Sequence, residues 1–246
     1  MKAWTPVPQV VGIIGLGKLG SALGLKLRDR GFRVLGSVKS PKSRERLTKM
    51  GFEVHLDNNV VVSKSDVVIL SVKPYNVEEI SVKTEKPLIS FVAGVPLSKL
   101  SAFSNRPFRA MTNVALTTIA VTGPYDEQID GLLKAISPRV IWVDEKLIDP
   151  LTVVLGSGPA LVAKLLDSFV RASVDIGVPW DIAKEVADEL FRYVPLLMRQ
   201  RSPEELVEMI ATPGGTTIKA LVEMAEIERV MASAFEGAMA RLVPKR

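Results

Sequence analysis

The sequence predicts an α/β protein in two parts: a doubly wound parallel sheet over residues 1–148, then an all-α region over residues 149–246. Three observations carry this. Short runs rich in Val, Ile and Phe alternate with helical segments as far as about residue 145. From about Leu151 the β signal stops and apolar residues recur at helical spacing. The 246 residues are 47% hydrophobic and 24% charged, the balance of a globular protein long enough for two modest domains.

In chain order, the strands are expected in VVGIIG, FRVLGSV, SDVVILSV, KPLISFVAG and PFRAMTN, each bounded by Gly, Pro or Ser. Continuous apolar runs of this length belong to strands buried on both faces, as in a parallel sheet. Helices are expected between them in KLGSALGLKLRDRG and SPKSRERLTKMG. In the second, Ser40 suits an N-cap, Pro41 the first helical position and Gly51 the residue past the end. Strand, helix, strand in repetition gives a doubly wound sheet.

In the second part, residues 159–177, 180–200, 203–211 and 216–242 have helical spacing. Pro179 and the PGG at 213–215 separate them, and Pro195 is expected to kink the second. The last helix carries Ile218, Leu221, Val222, Ala225, Met231, Phe235 and Met239 on more than one stripe. A region of this size makes a thin core by itself, so a helix packed against a second subunit is favoured over one buried in its own domain.

Composition excludes several chemistries. With no cysteine there is no disulfide, thiolate nucleophile or cysteine-bound metal; with His55 the single histidine there is no histidine metal cluster, and no metal site is expected. No apolar run approaches the ~18 residues of a membrane span, and MKAWTPVPQV lacks the apolar core of a signal peptide, so a cytoplasmic protein is expected. The net charge of +5 comes from scattered Lys and Arg, which suits an anionic cofactor and substrate rather than nucleic acid.

The first motif is Gly15, Gly17 and Gly20 in G-x-G-x-x-G spacing, after a strand and at the start of a helix. That context marks a Rossmann-type dinucleotide site: Gly15 for the tight turn, Gly17 for backbone approach to a pyrophosphate, Gly20 for close helix–strand packing. Leu16, Lys18 and Leu19 complete the turn, whose helix N-terminus offers N–H groups to phosphate. After the second strand, where an NAD site has Asp or Glu, stand Ser37, Lys39, Ser40 and Arg44. Hydroxyls and cations there suit a 2′-phosphate, so NADP(H) is preferred and NAD(H) remains possible.

Five further stretches carry a resemblance: SDVVILSVKP at 65–74, FVAGV at 91–95, RAMTN at 109–113, LIDPLTVVLGSGPA at 147–160 and TPGGTT at 212–217. In this order they resemble the pyrroline-5-carboxylate reductase family, over nearly the whole chain. The chain departs from the family at Val114-Ala115, where Thr-Pro is usual, and at Thr212, where Ser is usual.

The resemblance implies an enzyme that moves hydride from NAD(P)H to the C=N of 1-pyrroline-5-carboxylate, giving L-proline in the last step of proline biosynthesis. It implies homodimers through an all-α C-terminal dimerisation domain, with larger rings of dimers in some relatives, and neither nucleic acid nor membrane as partner. It gives Thr217 a catalytic role at the ring nitrogen, and assigns substrate contacts to Thr212, Gly214, Gly215, Thr216, Asn113 and Ser157. It adds Asn58, Ser71, Val72, Lys73, Ala93 and Gly94 to the cofactor site. Two other enzyme readings remain open, a different cyclic imine reductase and a β-hydroxyacid dehydrogenase with Lys164 as base. A third is an NADP-sensing module that binds a protein partner.

Overall fold

The computed structural model describes residues 9–242. The stretch before Gln9, on which the targeting expectation rests, lies outside them. Eight strands form one sheet: β1 Val10–Ile14, β2 Arg33–Ser37, β3 Glu53–His55, β4 Val67–Leu70, β5 Leu88–Ser90, β6 Pro107–Thr112, β7 Ile119–Thr122 and β8 Val140–Trp142. The order is β3-β2-β1-β4-β5-β6-β7-β8. All neighbours are parallel except β6 and β7, which run antiparallel, Arg109 facing Thr122 and Thr112 facing Ile119.

The first six strands follow the expected doubly wound pattern, and their apolar residues explain it. β4 is buried at every position, and Val11, Ile13, Leu35, Ile69 and Ile89 have no exposed surface. Side chains alternate across a strand, so residues buried without interruption need cover on both faces. That cover comes from α1 Lys18–Asp29, α2 Pro41–Lys49, α3 Asn58–Lys64, α4 Leu97–Leu100 and α5 Glu127–Ile136. α2 begins as expected, with the Ser40 hydroxyl accepting from the Ser43 N–H at 3.2 Å and Pro41 first in the helix. β3, β7 and β8 add to the five expected strands, β3 at one edge of the sheet and β7 and β8 at the other. A connection as short as 113–118 can join only antiparallel neighbours, which fixes the direction of β7.

At the β3 side of the sheet, Glu53 accepts from Arg33 at 2.9 Å and from Lys64 at 3.3 Å, and meets His55 at 3.1 Å. These partners, Arg33 foremost and then His55, hold its carboxyl down at about 2.

The remaining helices are α6 Ile148–Asp175, α7 Trp180–Leu197, α8 Pro203–Ile210, α9 Thr216–Glu223 and α10 Ile227–Leu242. Three expectations need correction here. α6 starts eleven residues before Pro159, which sits inside it, so Gly156–Ala160 lies within the helix rather than opening it. Pro159 removes one N–H from the ladder without ending the helix. The expected helix over 216–242 is two helices, parted at Met224–Glu226, where the Met224 N–H bonds both Ala220 and Leu221. Pro195 lies in the final turn of α7, where the helix is already ending.

The chain divides into two compact units, one made of residues up to Gly156 and from Met239, the other of Ser157–Ala238. The first holds both large apolar clusters, one around Val11, Leu23 and Ile119, the other around Ile14, Leu70 and Leu100. In the second unit the buried cluster is only Val170, Ala183 and Ala187, while Ile182, Val186, Leu190 and Tyr193 form an exposed stripe on α7. The expectation that no apolar segment reaches membrane-spanning length is also corrected. The helix over Glu145–Asp175 is long and apolar enough by composition, with a mean hydropathy of 1.5 over 18 residues. Little of that window is covered within the chain.

Candidate active site

Parallel strands end in loops at one edge of the sheet, and there the sheet unit carries a cleft of about 600 Å³. It is lined by Gly15–Leu19, by Val38, Lys39, Ser43 and Arg46, by Ser71–Pro74 and Asn76, and by Phe91 and Ala93. The floor is the glycine turn. Gly15 has φ +94°, a conformation side chains rarely adopt. Its N–H and that of Leu16 donate to the Ser37 carbonyl at 3.2 and 3.0 Å. A Cβ on Gly20 would lie 2.2 Å from the Gly15 carbonyl oxygen and 2.5 Å from Ser71 Oγ, so α1 approaches the turn closely. Ser71 locks the same turn from β4 by donating its hydroxyl to the Gly15 carbonyl at 2.8 Å. A Cβ on Gly17 would meet nothing within 4 Å, leaving the backbone open for a phosphate at the N-terminus of α1.

The basic turn after β2 is divided among different tasks. Lys39 lines the cleft, and its ammonium donates to Asn76 Oδ1 at 2.9 Å and to Glu79 Oε2 at 2.5 Å. Ser37 is buried and donates its hydroxyl to Asn58 Oδ1 at 2.6 Å, joining the end of β2 to the start of α3. Ser40 is spent on capping α2. Arg44 lies exposed on α2 outside the lining, while Ser43 and Arg46, three residues apart on one face, stand in it. Among the described residues no carboxylate lines this cleft, whereas Lys18, Lys39, Arg46 and Lys73 do. A pyrophosphate and a 2′-phosphate fit that set of donors. Ser43, Arg46, Val38, Pro74, Asn76 and Phe91 escaped the sequence reading; helical phase would have favoured 43 and 46 over 44.

At the next strand ends, Ala93 lines the cleft and Gly94 turns the chain with φ +70°. After β6, Asn113 staples its own loop, with Nδ2 donating to Thr117 Oγ1 at 2.7 Å and Oδ1 accepting from the Thr117 N–H at 3.0 Å. Within that loop Leu116 is the one described residue other than glycine at positive φ, +54°. Arg109 of the same motif is buried, its Nη1 on Glu145 at 3.2 Å and Nη2 on Asp149 at 2.6 Å. It anchors the start of α6 to the sheet. An arginine in the middle of an apolar strand was the signal for it.

The helical unit holds the TPGGTT turn. The Gly215 N–H donates to the Thr212 carbonyl at 2.9 Å, closing a turn with Gly214 at φ +71°. Gly215 is the N-cap of α9, and no side chain caps the helix. Thr216 is therefore the first helical residue, not a cap. A Cβ on Gly215 would fall 2.4 Å from Thr212 Oγ1, so only glycine brings the hydroxyl and the cap together. The result is a helix N-terminus with first-turn N–H groups that have no partner within the helix, flanked by three threonine hydroxyls and suited to a carboxylate. Ser157 lies on α6, half-buried. Among the described residues no group of three His, Cys, Asp or Glu could hold a metal ion.

Residues 145–243 match the family model for pyrroline-5-carboxylate reductase dimerisation, and residues 10–94 match the model described as NADP oxidoreductase coenzyme F420-dependent. A pyrroline-5-carboxylate reductase of Methanosarcina acetivorans is 30% identical over 89% of this chain and 90% of its own. Pyrroline-5-carboxylate reductase 2 of Homo sapiens is 33% identical over 86% of this chain and 75% of its own. In fold, the crystal structure of 1-pyrroline-5-carboxylate reductase from Streptococcus pyogenes is similar, with a TM-score of 0.86 at 24% identity, covering 95% of this chain and 97% of that one.

Proposed function

This chain belongs to the pyrroline-5-carboxylate reductase family, and on that premise we propose that it reduces 1-pyrroline-5-carboxylate to L-proline with NADPH. The observation that carries the reading is the pairing of two sites in one chain. One is a nucleotide cleft lined by cations without a carboxylate; the other is an uncapped, glycine-turned helix N-terminus of the shape a carboxylate needs.

When bound, the reduced nicotinamide supplies the hydride for the C=N carbon. The residues of this chain do the rest. The glycine turn and the N-terminus of α1 would hold the pyrophosphate, and Lys39, Ser43 and Arg46 would hold the 2′-phosphate. In the cradle, the amides of Gly214 and Thr216 hold the substrate carboxylate, with Thr212 beside them, and so aim the ring carbon; the expected Gly215 amide is instead spent on the Thr212 carbonyl. Positioning of this kind supplies much of a rate enhancement. Thr217 offers its hydroxyl to the ring nitrogen. As hydride adds to carbon, the C=N π pair moves to that nitrogen, which keeps its proton through the Thr217 contact. A protonated imine is already electrophilic, so the chemistry demands neither a metal nor a strong acid.

The same reading divides the chain into a nucleotide domain, 1–148, and a substrate and dimerisation domain, 149–246. It has the protein working in the cytoplasm as a homodimer, in rings of dimers, with its positive charge serving anionic ligands rather than nucleic acid. The α6 helix then finds its apolar cover in a second copy and not in a membrane.

The test is oxidation of NADPH by the purified protein with pyrroline-5-carboxylate, repeated with NADH and with the six-membered piperideine-2-carboxylate. Rapid turnover of the five-membered ring, faster with NADPH, is expected. Turnover of the six-membered ring alone would move the substrate; failure with both, in protein that binds NADPH, would overturn the reading.

A further inference from the structure

Lys39 and Glu79 come from different loops, yet they meet across the edge of the cleft. Lys39 sits in the turn after β2. Asn76 and Glu79 sit in the 3₁₀ turn Pro74–Glu79 that follows β4. The ammonium of Lys39 gives one proton to Asn76 Oδ1 and a second to Glu79 Oε2. Lys39 and Asn76 line the cleft, whereas Glu79 stands outside the lining. The pair is well over half exposed on both sides, at 59% each, so it is not a buried structural bridge. Exposed ion pairs of this kind contribute little to stability. Its position matters more: it puts a carboxylate on the one ammonium of the basic turn that a 2′-phosphate would use.

We propose that Glu79 is a specificity-determining residue that competes with the 2′-phosphate of NADP for Lys39. The inference rests on the nucleotide reading given above and adds a residue to it. An ammonium has three protons. With two given to Asn76 and Glu79, a phosphate must either accept the third beside a carboxylate or replace the carboxylate. Both lower the gain from the phosphate. A nucleotide without a 2′-phosphate leaves the bridge alone. Glu79 therefore narrows the preference for NADP over NAD that Lys39 and Arg46 create, and it does so without touching the part the two nucleotides share.

The test is titration calorimetry of the full-length protein with NADP⁺ and NAD⁺, comparing the wild type with Glu79→Gln and Lys39→Met. Glutamine keeps the size and removes the charge. Competition predicts that Glu79→Gln tightens NADP⁺ about fivefold and leaves NAD⁺ unchanged, a gain of the size an exposed pair allows. The gain shrinks as salt is raised toward ~1 M, because the charges are screened. Lys39→Met weakens NADP⁺ and abolishes the effect of Glu79→Gln in the double variant. If Glu79→Gln weakens NADP⁺, Glu79 positions Lys39 instead of competing for it, and the proposal is overturned. It is equally overturned if both nucleotides change together, or if Lys39→Met leaves the NADP⁺-to-NAD⁺ ratio as it was. In each of those cases imine reduction by the wild type still stands. Failure of the folded wild type to bind either nucleotide would instead remove the reductase reading, and this proposal with it.

Discussion

The nucleotide cleft and the carboxylate cradle are built in opposite ways. The cleft is walled by strand ends and by the helices and turns that follow them, and its floor is held by bonds from the ends of two strands: the Ser37 carbonyl on Gly15 and Leu16, and Ser71 on the Gly15 carbonyl. Beneath it lie side chains with no exposed surface. The cradle instead sits between two eight-residue helices, α8 and α9, neither of which has a buried residue within the chain. The difference teaches that one site rests on a packed core while the other rests on helices left uncovered within the chain. The helical unit's own buried cluster is Val170, Ala183 and Ala187, a thin core, and under the homodimer reading a second copy would hold the turn still.

The largest expected effect falls on the cradle. Thr217→Ala should lower kcat/KM for the imine roughly 100-fold, the size of loss expected when a reacting ring is no longer held in place. Its melting temperature and nucleotide affinity should stay where they are. A residue with only a helical role would give the reverse pattern, visible in steady-state kinetics beside a thermal melt.

On the cleft side, Gly20→Ala places a methyl group against the Gly15 carbonyl oxygen at 2.2 Å. Backbone cannot yield there cheaply, so about 1–3 kcal/mol of stability should be lost together with nucleotide binding. Gly17→Ala meets no protein atom. It should keep its stability and lose only nucleotide affinity, and denaturant melts with calorimetry would separate the two glycines. Equal destabilisation by both would break the distinction between a packed floor and an open one.

How far these features could be read from the sequence follows the same division. The glycine turn was legible because backbone geometry restricts it to one residue type. The basic turn was legible as a patch, but its members were not: Ser37 proved to serve Asn58, Ser40 the α2 cap, and Arg46 took the place expected of Arg44. Choosing among neighbours on a helix needs its phase, which a charge pattern does not give. The break at Met224–Glu226 was invisible because no Gly or Pro marks it. β3, β7 and β8 were not expected either, and β5, no longer than β8, was read because its three residues sit in the longer apolar run KPLISFVAG. Pro159 misled for the opposite reason, since a helix already several turns long absorbs one missing N–H. The cradle was read through resemblance, and its own residues said only that a turn precedes a helix.

The smallest effect lies at Glu53, which does not line the cleft. Glu53 has its carboxyl lowered from 4.5 to about 2 by Arg33, His55 and Lys64. A group lowered in the folded state stabilises above its unfolded value, and that contribution is lost as pH falls from about 4.5 toward 2. Glu53→Gln should therefore lower the neutral-pH melt slightly, the cluster being partly exposed, and flatten this part of the acid-unfolding curve, so that variant and wild type converge as pH falls toward 2. Acid titration followed by circular dichroism reads it; an unchanged acid limb would show that solvent screens the cluster.

The most direct measurement separates the two regions by breaking association. Val186 and Leu190 stand exposed on one stripe of α7, so Val186→Glu with Leu190→Glu should leave each chain folded and prevent pairing. Sedimentation velocity would establish the monomer, calorimetry its NADP⁺ affinity, and NADPH oxidation its turnover of pyrroline-5-carboxylate. The account predicts a monomer that binds NADP⁺ as the wild type does and has lost imine reduction. A monomer that reduces the imine at the wild-type rate would contradict it.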